Sequence, residues 1–231
     1  MDNIDRSNRE LTVSGLAQMI DHTRLGVDTT VQEIRVLCEE AAEYEFASVC
    51  VPPCYVREAA LILNGAPPSV CTVLSFPHGD SCTGAKVKEA CLAIENGATE
   101  VDMVMAVGLF KSGFYDAVKT DIEQVVQTCE HAALVKVILE CILLTDEQKR
   151  MACHLARDAG ADYVKTSTGY ANGGATEQDI ALMHSTIGED LGIKASGGIR
   201  TFEEALAMIR AGATRIGASA SLAIIQGIEN A

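Results

Sequence analysis

The chain has 231 residues, 48% of them apolar and 22% charged, with a net charge of −14. That length and apolar content suit one α/β domain burying roughly 70–75% of its unfolded surface, and they exclude disordered and low-complexity classes. The acidic balance argues against nucleic acid and anionic membrane as partners, and no apolar run reaches the ~18 residues of a membrane span.

Residues 1–10 are polar and mixed in charge, which predicts no signal peptide and a cytoplasmic location. A short N-terminal helix should precede a first strand at residues 19–22. Val31, Ile34, Cys38 and Ala41 then share one helical face, and a second strand is expected at 46–51. The third, at 70–76, runs into a loop bounded by Gly79 and Gly84. That loop lacks the lysine of a nucleotide-binding P-loop, and no GxGxxG occurs anywhere. Val87, Cys91 and Ile94 form the next helical face, before a fourth strand at 101–105. Val118, Ile122, Val125 and Cys129 lead to a fifth at 135–140. A sixth strand at 163–166 and a seventh at 193–196 follow. A helix bearing Phe202, Ala205, Leu206 and Ile209 then precedes an eighth strand at 215–218 and a last helical segment. Eight strands alternating with helices predict an α/β fold of the (β/α)8 TIM-barrel type, a single domain over residues 1–231.

A repeat supports the series. Glu95-Asn96-Gly97-Ala98-Thr99-Glu100-Val101-Asp102 resembles Asp158-Ala159-Gly160-Ala161-Asp162-Tyr163-Val164-Lys165 and Arg210-Ala211-Gly212-Ala213-Thr214-Arg215-Ile216-Gly217. Each reads as a helix end, a glycine stop and a strand. The glycines are 63 and 52 residues apart, room for two βα units each. Asp102, Lys165 and Gly217 all stand five residues after their glycine. Alternate strands of such a barrel share interior layers, so Asp102 and Lys165 should point inward at similar height.

Of the eight lysines, six read as solvated or flanking, whereas Lys165 ends an apolar strand, where barrel enzymes carry catalytic groups, and Lys194 sits in Gly192-Ile193-Lys194-Ala195-Ser196-Gly197-Gly198. Inward lysines need a carboxylate partner or a depressed pKa, and Asp102 is the obvious carboxylate. A catalytic lysine and a structural ion pair both satisfy this pattern. Ser196-Gly197-Gly198 and Gly217-Ala218-Ser219 follow the seventh and eighth strands, where backbone N–H groups and helix N-termini commonly bind phosphate. The nine cysteines are odd in number and contain no Cys-x-x-Cys, which predicts packed free thiols. His78, Asp80 and Cys82 are the one metal cluster conceivable on paper, and no metal or cofactor is expected. With 4% aromatic residues and no Trp, base-stacking platforms are missing.

Seven fragments in order resemble the deoxyribose-phosphate aldolase family of class I aldolases, from about Leu11 to Ile228. They are Asp21-His22-Thr23, Val70-Cys71-Thr72-Val73, Glu100-Val101-Asp102-Met103-Val104, Val135-Lys136-Val137-Ile138-Leu139-Glu140, Lys165-Thr166-Ser167-Thr168-Gly169, Lys194-Ala195-Ser196-Gly197-Gly198 and Arg215-Ile216-Gly217-Ala218-Ser219. The resemblance implies a metal-free barrel, a homodimer or homotetramer, acting on a small sugar phosphate in deoxynucleoside breakdown. The reaction would be reversible cleavage of 2-deoxy-D-ribose 5-phosphate to D-glyceraldehyde 3-phosphate and acetaldehyde. Lys165 matches the Schiff-base lysine, Lys194 its neighbour that tunes it, and Asp102 the proton-relay aspartate, with Lys136 beside them. Thr23, Cys50, Thr168, Gly169, Ser196, Gly197, Gly198, Gly217 and Ser219 would surround the substrate and its phosphate. The sequence departs from the family pattern at Pro52, Ser75, Ala106 and Ser221, which concerns loop shape and substrate affinity. Two other readings stay open: another class I sugar-phosphate aldolase or transaldolase, and a non-catalytic phosphosugar-binding barrel.

Overall fold

A computed structural model of the chain describes residues 11–229. The first ten residues, and with them the signal-peptide expectation, lie outside the described part. In chain order the elements are α1 (Val13–Ala17), β1 (Ile20–Thr23), α2 (Val31–Tyr44), β2 (Ser48–Val51), α3 (Val56–Ile62), β3 (Ser69–Leu74), α4 (Thr83–Glu95), β4 (Glu100–Val104), α5 (Val107–Lys111) and α6 (Tyr115–Cys129). Then come β5 (Leu134–Ile138), α7 (Asp146–Asp158), β6 (Tyr163–Lys165), α8 (Glu177–Ile187), β7 (Gly192–Ser196), α9 (Phe202–Ala211), β8 (Arg215–Ala218) and α10 (Ser221–Glu229). The eight strands are parallel and close in sequence order, with β8 pairing β1, so the fold is a (β/α)8 barrel. Among the described residues no helix is long and apolar enough to cross a membrane.

Local chemistry explains the boundaries. Capping boxes start α2 (Thr30 with Glu33), α7 (Thr145 with Gln148) and α9 (Thr201 with Glu204). Gly212 ends α9 at φ 119°, a left-handed position that costs glycine nothing, and Gly97 and Gly160 end α4 and α7 likewise. Two strands stop two residues earlier than expected. β3 ends at Leu74 because Ser75 turns to φ 49°, and β5 ends at Ile138 because Glu140 turns to φ 57°. Ser75, a departure from the family pattern, keeps that turn ordered: its Oγ accepts the Ser81 N–H and its own N–H reaches Glu89.

Strand alternation divides the interior into two environments. Val101, Met103, Val135, Val137, Val164, Ile193 and Ile216 join the helices' Ile34, Ile122, Val125, Ile180, Met183 and Ala205 in the main apolar core. The opposite faces fill the barrel itself, and the strand register sorts them into three layers of four positions. Nearest the N-terminal ends are Ser48, Glu100, Tyr163 and Arg215; above them Asp21, Cys71, Lys136 and Lys194; and above those Cys50, Asp102, Lys165 and Gly217. Barrel interiors are usually packed with branched apolar side chains. This one is filled with charge.

Candidate active site

The upper two layers meet at Asp102, which is fully buried on β4. Its Oδ2 accepts hydrogen bonds from Lys165 Nζ at the end of β6 and from Lys194 Nζ on β7, both at 2.7 Å. Its Oδ1 accepts from Lys136 Nζ on β5 at 2.9 Å and from the Cys71 thiol on β3 at 3.3 Å. The layer below supplies further partners. Lys194 also pairs with Asp21 on β1, and Asp21 Oδ1 accepts from Arg215 at 2.8 Å. Lys136 lies 2.6 Å from Glu100, whose other oxygen faces Arg215 at 3.5 Å. The Arg215 guanidinium in turn sits over the Tyr163 ring, 5.6 Å from its centroid.

Burial alone would neutralise these carboxylates; the cations prevent it. Desolvation raises Asp102, but Lys136, Lys165 and Lys194 together hold it well below the usual carboxylate range. Asp21 is lowered in the same way by Lys194, Lys136 and Arg215. For Lys194, desolvation works against the ammonium, yet Asp102 and Asp21 raise its pKa above the ordinary lysine value, and Lys136 is raised likewise. Burial pushes the Cys71 thiol well up, so it is an S–H donor.

The stoichiometry is uneven. Four cations, Lys136, Lys165, Lys194 and Arg215, face three carboxylates, Asp21, Glu100 and Asp102. Three of the four cations reach at least two carboxylates; among the described residues Lys165 reaches Asp102 alone. Lys165 also stands highest, at the C-terminal mouth where barrel chemistry takes place. The cation with the fewest carboxylate partners therefore stands where a substrate enters.

Gly217 explains how two lysines fit on one oxygen. A Cβ at this position would lie 2.9 Å from Lys194 Cε. The residue belongs to β8, and its missing side chain makes room for the lysine rather than a cradle in the loop. Of the other expected substrate contacts, Cys50 is buried in the same layer, with Leu25 and Phe76 packed against its small cluster. Thr23 donates to the Asp21 carbonyl and Ser196 to the Ser167 carbonyl. Thr168 is bonded to Glu140. Gly169, Gly198 and Ser219 are exposed at the mouth, and Gly197 is half-buried beside them. The loops are pressed together: the Ala175 N–H reaches Gly197 O at 3.0 Å, and a Cβ on Gly174 would lie 2.2 Å from that oxygen. At the start of α9 the Thr201 hydroxyl accepts the Glu204 N–H, the Glu204 carboxylate accepts the Arg200 and Thr201 N–H groups, and Glu203 adds a second negative charge to the first turn. Those two carboxylates disfavour an anion at α9, which leaves the glycine loops and the start of α10 at the mouth.

Two expectations need correction. Lys86 and Lys136 are fully buried and paired, so they are neither solvated nor flanking. Cys71 is not a thiol packed among apolar side chains, because it touches Asp102 and Lys136. The residues His78, Asp80 and Cys82 do not converge. Among the described residues the gathered ligand sets are Cys50, Cys71 and Asp102, and Asp21, Cys71 and Glu100, inside the barrel where Lys136 already bonds Asp102 and Glu100. The sequence reading also left Asp21, Glu100, Arg215 and Cys71 out of the site. A signal existed: Glu100, Tyr163 and Arg215 stand three residues after the repeat glycines, as Asp102, Lys165 and Gly217 stand five. One repeat specifies two layers.

A closed barrel in which three lysines converge on one buried aspartate, one of them at the C-terminal end of its strand, is the scaffold of a lysine-centred enzyme. Residues 16–227 match the DeoC/LacD family aldolase, and the chain belongs to that family. It is a carbon–carbon lyase. It is 57% identical over 213 residues to the deoxyribose-phosphate aldolase of Halalkalibacterium halodurans, covering 92% of this chain and 95% of that one. The deoxyribose-phosphate aldolase of Caldanaerobacter subterraneus subsp. tengcongensis is 50% identical over 220 residues, 94% of this chain and 95% of its own. The solved deoxyribose phosphate aldolase from Aeropyrum pernix, described as tetrameric, superposes with a TM-score of 0.89 at 32% identity, over 94% of this chain and 92% of that one.

Proposed function

We propose that the chain cleaves 2-deoxy-D-ribose 5-phosphate reversibly to D-glyceraldehyde 3-phosphate and acetaldehyde through a Schiff base on Lys165. One observation carries this reading: Lys165 and Lys194 share one oxygen of Asp102, and Lys165 is the cation with a single carboxylate partner. It can give up its proton while the other three cations still balance the three carboxylates. Neutral Lys165 Nζ then attacks the C1 aldehyde, and loss of water leaves a protonated imine. The C3 hydroxyl gives up its proton, the C2–C3 bond breaks, and its electron pair moves into a neutral enamine. Asp102, held in the anionic form, accepts that proton directly or through water. The enamine carbon is then reprotonated, and hydrolysis of the imine releases acetaldehyde and restores the lysine.

Gly169, Gly197, Gly198 and Ser219 would receive the phosphate. Their position at the mouth and the two carboxylates in the first turn of α9 support N–H groups of these loops and of the start of α10 as the anion site. The reading extends to deoxynucleoside breakdown in the cytoplasm by a homodimer or homotetramer. The names of the relatives support the substrate.

The test is borohydride reduction with acetaldehyde, followed by mass mapping of the ethylated residue. Modification of Lys165 is expected. Modification of Lys194 instead, or none, would overturn the mechanism. Comparing acetaldehyde with ketone donors separates this activity from that of other class I aldolases.

A further inference from the structure

Glu140 is buried at the mouth yet takes no part in the charge cluster around Asp102. It follows β5 with φ 57° and ψ 62°, a left-handed backbone that a glutamate adopts only where its surroundings over-determine it. Its carboxylate accepts the Thr168 hydroxyl at 2.5 Å and the Thr168 N–H at 3.2 Å. Thr168 Oγ1 in turn accepts the Tyr170 N–H at 3.1 Å. The Tyr170 side chain reaches away to the far side of the mouth. Its hydroxyl donates to the Leu25 carbonyl after β1 at 2.8 Å, and its ring meets Phe76, after β3, edge-on at 5.3 Å. The loop after β6 is therefore fastened at Glu140 and again at Leu25, with Gly169 between the two anchors.

We propose that Glu140 is a positioning residue: through Thr168 and Tyr170 it holds this loop taut across the mouth, so that Gly169 is aimed at the substrate phosphate before binding. This deepens the reading above and rests on its assignment of Gly169 to the phosphate. The chemistry selects a carboxylate. Thr168 presents two donors, the N–H and the O–H, and Glu140 offers acceptors only, in charge-assisted bonds about twice as strong as neutral ones. A glutamine would keep one oxygen and turn an N–H2 donor toward the two Thr168 donors. Ordering the loop in advance removes an entropy cost that binding would otherwise carry, so the benefit falls on affinity for the phosphorylated substrate and not on imine chemistry.

The experiment compares Glu140→Gln, Thr168→Val, Thr168→Ser and Tyr170→Phe in the full chain. In Glu140→Gln and Thr168→Val, KM for 2-deoxyribose 5-phosphate should rise about tenfold, the order expected for losing one or two such bonds. In Glu140→Gln, KM for unphosphorylated 2-deoxyribose and borohydride trapping at Lys165 should stay within about twofold of the parent. Thr168→Ser should restore the parent KM, and Tyr170→Phe should raise it by a smaller factor. Amide exchange of the peptide spanning 166–175 should quicken in Glu140→Gln, while peptides from β1 to β4 stay as protected as before. Unchanged exchange and unchanged KM would overturn the proposal, as would equal losses on both sugars. Failure of the parent to trap at Lys165 would refute the Schiff-base reading instead, and the exchange measurement would still decide whether Glu140 holds the loop.

Discussion

The molecule buries lysine in two places, and only one of them has the makings of chemistry. Between α4 and α6, Lys86 lies 2.6 Å from Asp121 and 3.0 Å from the Val104 carbonyl, while the other Asp121 oxygen accepts the Thr83 hydroxyl at 2.8 Å. One cation meets one anion, and the remaining lone pairs are used by neighbours. Inside the barrel the burial is just as complete, but four cations meet three carboxylates. A matched pair is a static clamp. A mismatched cluster has one proton too many, and the uppermost lysine is the one with the fewest partners.

The contrast is broken most severely by Lys165→Ala, which should cut cleavage by roughly 10⁴-fold or more and abolish borohydride trapping. Residual trapping on another lysine would show that the surplus proton had been assigned to the wrong residue. Asp102→Asn comes next. The amide keeps the shape but cannot accept a proton, so cleavage should fall by ~10²–10⁴-fold while the imine remains trappable. The same variant tests the electrostatics. Asp102 and Asp21 are held below their ordinary value of 3.8, so their stabilisation is complete above that pH and is lost as the pH falls further. Unfolding measured between about pH 5 and pH 2 should therefore depend less steeply on pH in Asp102→Asn than in the parent. An unaltered slope would mean that the cations do not stabilise this carboxylate.

The clamp predicts the reverse pattern. Lys86→Met strands the Asp121 carboxylate and should cost about 3–5 kcal/mol in denaturant unfolding. Replacing Lys86 and Asp121 together by apolar residues should recover most of that loss. In either protein, whatever folds should trap acetaldehyde at Lys165 with the parent pH profile. A displaced profile would show that the two lysine sites communicate through β4, whose Val104 carbonyl Lys86 holds.

How far these sites could be read in advance depended on whether the information was local. The glycine stops at Gly97, Gly160 and Gly212 are short-range signals, and they located three strands and the inward direction of Asp102 and Lys165. The second partner of Lys194, Asp21, was less legible. Asp21 and Asp102 lie on β1 and β4, and only the slip of register around a closed barrel brings both to one ammonium. Lys86 looked solvated because its anion lies 35 residues downstream on another helix. Glu203 and Glu204 in the first turn of α9 were visible in the sequence, and their charge already argued against a phosphate there. The glycines beside that turn drew the phosphate assignment instead.

The gentlest test alters the cluster's balance without touching the nucleophile. Lys194 is kept charged by Asp102 and Asp21 together. Lys194→Leu leaves three cations for three carboxylates, so the Lys165 ammonium becomes necessary to the balance and keeps its proton to higher pH. The rising limb of imine formation with acetaldehyde should then move up by roughly one to three pH units, the range typical of a single nearby charge. Lys194→Arg restores the count of four. Its fork is larger than the space left by Gly217, where a Cβ would already lie 2.9 Å from the lysine chain, so some rate should be lost to displacement. Its pH limb should nevertheless stay near that of the parent, because charge and not shape sets its position. If Lys194→Leu and Lys194→Arg move the limb equally, packing around Lys165 governs its proton, and the uneven stoichiometry of the barrel is a by-product of burial.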